Sequence, residues 1–162
     1  YFLRLPDRRK RAEELYAALV ARAREPVFYL GFGVADTPDG RFDLLVLHAW
    51  LVLEHTEGSL EQSLVEAIFT GFADALRAGG AENVGLARHL KRMAEAFYGR
   101  LAAYGGAGES ALAAALMRNV YRGASGREEN ARALARYVLG MQKRLSGWLP
   151  EREPLDFGPL PG

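Results

Sequence analysis

Three histidines, His48, His55 and His89, are the side chains best suited to acid–base or metal chemistry in a chain that has no cysteine. None has a second His, Asp or Glu three or four residues away, the spacing that would put two metal ligands on one helical face. Without cysteine there are no thiolate nucleophiles, disulfide staples or thiolate-held zinc and iron–sulfur sites. No Gly-x-Ser-x-Gly element marks an activated serine. Gly31-Phe32-Gly33 has the opening of a dinucleotide fingerprint but lacks the third glycine and the preceding strand. Gly105, Gly106 and Gly108 are not followed by the Gly-Lys-Ser/Thr ending of a P-loop, and read as a helix terminator plus a turn. The pattern predicts no catalytic centre, no metal and no nucleotide site. His48, set between Leu47, Ala49 and Trp50, reads as a hydrogen-bonded core imidazole, and His55 and His89 read as surface residues.

Charge and aromatic groups point instead to contact surfaces. Arg8-Arg9-Lys10-Arg11 beside Tyr1, Phe2 and Leu3 would suit anionic lipid headgroups or RNA phosphates, and a solvated helix start would also carry it. Positive charge at a helix start is unfavourable by about 0.3–1 kcal/mol, so something besides helix stability favours the cluster. Further along, Arg88, Lys91, Arg92 and Glu95 make a mixed, mainly basic face. Phe28, Tyr29 and Phe32 gather on one loop and are expected to fold back onto the core. A net charge of +1 excludes bulk affinity for nucleic acid and predicts no DNA partner, while leaving local patches open.

These residues need elements to position them, and the elements read as helices. All seven prolines lie at positions 6, 26, 38, 150, 154, 159 and 161, which leaves 111 residues between Pro38 and Pro150 without the strongest helix breaker. Apolar residues there recur every three or four positions, the period of a helix face. The first helix is expected over about Asp7 to Arg24, with Leu15, Leu19 and Ala23 inward and Arg22 largely off that face. A loop follows from Pro26 to Gly40. Thr37-Pro38-Asp39 then supplies an N-cap, a first-turn proline and an acid at the positive end of a second helix. Its body, Phe42 to Leu53, is apolar nearly all round, which places it centrally. Its densest apolar run, Leu44 to Leu53, is broken by His48 and is about half the roughly 20 residues that a membrane span needs. Ser59 to Gln62 has capping-box spacing for a third helix, Asn83 is positioned to cap a fourth, and Ser125 to Glu128 repeats the box for the sixth. Gly79-Gly80 permits a left-handed ending to the third helix. In the fourth, Leu86, Leu90, Met93, Phe97, Leu101 and Tyr104 form a packing face, and a short fifth helix carries Leu112, Leu116 and Val120. Residues 150–162, with four prolines, are expected to be an extended or mobile tail. The expected fold is all-α: one compact bundle of about six helices, core about 7–149, in a single domain of 1–162.

Two ordered blocks make the chain recognisable. Asp36-Thr37-Pro38-Asp39-Gly40-Arg41-Phe42-Asp43-Leu44-Leu45-Val46-Leu47-His48 and Lys91-Arg92-Met93-Ala94-Glu95-Ala96-Phe97-Tyr98-Gly99-Arg100-Leu101 resemble the ubiquinol–cytochrome c chaperone family. The resemblance covers roughly Leu15 to Val120 and extends toward the sixth helix. The turn after Gly79 departs from the family pattern, since Glu82-Asn83 holds the acidic turn and His89 interrupts the basic run that follows. The resemblance implies an all-helical assembly chaperone for ubiquinol–cytochrome c reductase with no cofactor. Its client would be newly made cytochrome b or a related membrane protein, met near a ribosome or an anionic membrane surface, with a small partner protein. It also implies a cytoplasmic location, peripheral to the inner face of the inner membrane. The blocks single out Arg41, Asp43, His48, Lys91, Arg92, Glu95, Tyr98 and Arg100 for client or partner contact, joined by Arg88 of the basic face, with local pairs Arg41–Asp43 and Arg92–Glu95. The alternative is a quinone, haem or isoprenoid held between the second and fourth helices, where Trp50, Phe97 and Tyr98 would surround His48.

Overall fold

A computed structural model describes residues 4–162, with the side chains described from Asp7 onward; Tyr1, Phe2 and Leu3, and with them the aromatic flank expected beside the basic cluster, lie outside the described residues. The described residues form α-helices and no strands. In chain order they are α1 (Arg4–Ala23), α2 (Val27–Leu30), α3 (Pro38–Leu53), α4 (Gly58–Ala78), α5 (Asn83–Tyr104), α6 (Glu109–Asn119) and α7 (Glu128–Leu145). Six are the expected helices. The single turn α2 interrupts the segment expected to be a loop from Pro26 to Gly40, because Phe28 is turned inward and buried there.

The all-round apolar character of α3 has a direct cause, since α3 divides the core. Leu44, Leu47, Trp50 and Leu51 face a half-core shared with α2, α6 and α7. Val46, Ala49, Val52 and Leu53 face a second half-core shared with α1, α4 and α5. Eleven of the sixteen α3 residues are buried, so a helix with a single apolar stripe would not serve here. Around it, α1 packs on α3 and α4, α5 on α3 and α4, and α6 pairs with α7. Tyr16 of α1 lies over Gly71 of α4, where a Cβ would stand 1.9 Å from its hydroxyl and force the ring aside.

Helix ends follow the expected chemistry only in part. Thr37 caps α3, its hydroxyl accepting from the Gly40 amide at 3.1 Å. The end of α4 is a Schellman motif, with Ala81 N–H donating to Leu76 and Gly80 N–H to Arg77 while Gly80 takes φ +95°. The three other caps are corrected. Gly58, at φ +61°, starts α4 one residue before Ser59, and the Ser59 hydroxyl accepts from Arg8 instead. Asn83 is the first residue of α5 at φ +51° and makes no capping bond, and Arg127 rather than Ser125 precedes α7.

Candidate functional site

Two buried polar groupings lie on α3. Asp43, with no solvent exposure, receives Arg122 through Nε at 2.9 Å and Nη2 at 3.1 Å, and Arg100 through Nη2 at 3.0 Å. Fork geometry on one carboxylate ties α3 to α5 and to the turn between α6 and α7. Burial pushes the Asp43 carboxyl up, against the opposing pull of the Arg122 hydrogen bonds and the Arg100 charge. Asp39 also meets Arg122, at 3.4 Å. The expected local pairs do not form. Arg41 reaches back to Asp36 at 2.9 Å, because Asp43, two residues on, faces the interior from the opposite side of the helix, and Arg92 contacts His89 at 3.1 Å rather than Glu95.

The second grouping is a directed chain of hydrogen bonds. His48 Nδ1 lies 2.8 Å from the Leu44 carbonyl, which can only accept, so Nδ1 carries the proton and Nε2 is the acceptor. Tyr137 O–H therefore donates to His48 Nε2 at 3.0 Å, and Arg22 Nε donates to the Tyr137 oxygen at 3.0 Å. Every member is satisfied with a neutral imidazole, and burial holds the His48 pKa down at about 4. Arg22, expected off the buried face of α1, is itself buried. The rings of Phe28, Tyr137 and Phe157 stand 5.0, 5.8 and 5.8 Å from His48 and fill the space around it. A small-molecule cavity beside His48 is thus replaced by packed aromatics. Trp50 packs on Tyr104, and Phe97 and Tyr98 pack on Phe69, away from His48.

The remaining predicted residues share one exposed face. Arg88, Lys91, Arg92, Glu95 and Tyr98 are all exposed on α5. Among the described residues Arg88, Lys91 and Glu95 have no ion pair or side-chain hydrogen bond, while Tyr98, 53% exposed, stacks on Phe69 at 6.1 Å. Only Phe97 and Tyr104 of α5 are fully buried; Leu86, Leu90, Met93 and Leu101 of its expected packing face are half-buried. Val84, at the start of the helix, is 70% exposed. The first half of α5 therefore presents apolar side chains beside unpaired charge.

The basic cluster on α1 divides. Arg8 bonds Ser59 and lies 3.6 Å from Glu151, and Arg11 donates to the carbonyls of Pro150 and Glu153, so both turn inward. Arg9 and Lys10 are exposed. His55 is half-buried against Trp148 instead of lying on the surface, and burial lowers its pKa. It lines a cleft of about 770 Å³ with Arg8, Leu60 and Pro150. Among the described residues no group of three or more His, Asp or Glu is arranged to hold a metal, and no helix is long and apolar enough to cross a membrane. Arg22, Arg122, Tyr137 and Phe157 were not foreseen. Tyr137 lies beside the Leu134–Val138 stripe and was within reach of periodicity, whereas Arg122 bonds Asp43 from 79 residues away.

Comparison with known proteins extends this geometry. The family model described as Ubiquinol-cytochrome C chaperone matches residues 30–148, beginning later than the sequence resemblance and taking in α7. The crystal structure of the Cbp3 homolog from Brucella abortus is similar, with a TM-score of 0.81 and 30% identity over 97% of this chain and 98% of that one. No curated protein matches the chain.

Proposed function

Because the chain belongs to the ubiquinol–cytochrome C chaperone family, we propose that it is an assembly chaperone for ubiquinol–cytochrome c reductase that grips its client without catalysing a reaction. The client in this reading is newly made cytochrome b or a related membrane protein. The observation that carries the proposal is the α5 face, where Tyr98 and Val84 are exposed beside unpaired Lys91, Arg88 and Glu95. A half-covered apolar helix rimmed by charge offers a groove that takes another helix reversibly. Charge at the rim governs encounter and register more than affinity. Arg9 and Lys10 extend the reading, since they offer positive charge to an anionic membrane or ribosome surface and suit a peripheral position at the inner face of the inner membrane. A small partner protein remains part of the proposal through the family.

The test is genetic and biochemical. Cells lacking the chain are expected to lose assembled ubiquinol–cytochrome c reductase, recover it with the wild-type chain, and fail to recover it with a Lys91→Glu, Tyr98→Ala double variant. An unchanged amount of assembled reductase in the deletion strain would overturn the proposal.

A further inference from the structure

The segment after α7 has no backbone–backbone hydrogen bond beyond Glu153 among the described residues. It is held in the groove between α1 and α7, two helices that flank α3 and make few direct contacts with each other. Arginines supply the attachment. Arg144 donates through Nε to the Asp156 carbonyl at 3.1 Å and through Nη2 to its carboxylate at 3.0 Å. Arg22 donates to the carbonyls of Gly158 and Pro159 at 3.2 and 3.3 Å. One side chain is sunk into the groove. Phe157, 6% exposed, meets the His48 ring edge-on and lies 5.5 Å from the Arg22 guanidinium. Gly158 follows at φ +76°, where a side chain would be strained and would run into Arg144.

This is how a peptide is bound, with one anchor in a socket, directed donors on consecutive carbonyls and a cation for the preceding carboxylate. The attachment is made by side chains alone, and a segment with one buried side chain, the half-buried Leu155 and no ladder opens locally without unfolding the bundle. Opening leaves the buried Arg22 with only Tyr137 to bond and bares the ring of His48. The vacated groove then favours an equivalent occupant.

We propose that the α1–α7 groove is a docking site for an extended polypeptide segment with an acidic–aromatic–glycine sequence, and that residues 154–160 are its resident occupant. The site is distinct from the α5 face, and a partner carrying such a segment would displace the tail and dock in its place.

The test uses the full chain and a fluorescent synthetic peptide of residues 153–162. Phe157→Ala is expected to bind this peptide about tenfold more tightly than the wild-type chain, because the resident anchor is gone. Asp156→Ala, which removes the exposed ion pair with Arg144 and the bond its carboxylate accepts from the Gly158 amide but leaves the Phe157 anchor, is expected to give a smaller gain, about threefold, and keeps the test intact should Phe157→Ala fail to fold by circular dichroism. A peptide with alanine for its phenylalanine is expected to bind neither chain, and Tyr98→Ala is expected to leave peptide binding unchanged. Equal, weak binding of the peptide to the wild-type chain and to both folded tail variants would overturn the proposal.

Discussion

Helices α3 and α5 carry the two stretches that make the chain recognisable, yet they treat their polar residues in opposite ways. On α3, Asp43 and His48 are fully buried and their hydrogen-bonding atoms are matched, by Arg100, Arg122 and Tyr137 from distant parts of the chain and by the Leu44 carbonyl of the same helix. On α5, Lys91, Glu95 and Tyr98 face outward, and only Arg100, near its end, turns inward to Asp43. The difference teaches that a recognisable stretch can be held by the fold in one helix and by contact with other molecules in the next. Substitutions separate the two cases, since on α3 they should cost stability and on α5 they should cost binding.

The largest expected effect is on α3. Asp43→Ala leaves Arg100 mostly buried without its carboxylate, and removing one member of a buried ion pair costs about 3–5 kcal/mol. Urea denaturation followed by circular dichroism measures it. A loss below 1 kcal/mol would erase the contrast.

His48 gives a second break point through pH. Its folded-state pKa of about 4 lies below the ordinary 6.5, so the unfolded chain takes up the proton first as pH falls. The stability contributed by keeping this ring neutral is complete above pH 6.5, declines as pH drops toward 4 and levels off below that, a change of about 3 kcal/mol. Denaturation midpoints across this window should flatten in His48→Gln relative to the wild-type chain.

Smaller effects sharpen the comparison. Thr37→Ala removes the cap of α3 and should cost about 1 kcal/mol, read as a lowered melting temperature. Lys91→Glu with Arg92→Glu on α5 should change stability by no more than about 0.5 kcal/mol while lowering client capture, measured by thermal melt and by co-purification on the same sample.

How much of this was legible in the sequence depends on the range of the interaction involved. The three-and-four spacing of apolar residues revealed six helices, and the ring of apolar residues around Phe42–Leu53 revealed a central one, because both depend on local period. Thr37 was legible as a cap for the same reason. The capping boxes at Ser59 and Ser125 were misleading, since Gly58 and Gly126 adopt positive φ and shift the helix starts. Pairing of charges failed for a different cause. Asp43 has Arg41 two residues away but takes Arg100 and Arg122 across the core, which no spacing encodes. The tail illustrates the same limit. Its prolines excluded a helix, but nothing near Phe157 marked the socket formed by Arg22 and His48.

The most direct test of the chaperone account is crosslinking in living cells from a photoreactive residue at position 98, with the same residue at the exposed Arg136 of α7 as the control. The account predicts that position 98 captures cytochrome b or another subunit of ubiquinol–cytochrome c reductase and that position 136 does not. Equal capture from both positions, or none from position 98 in cells that are assembling the reductase, would contradict it.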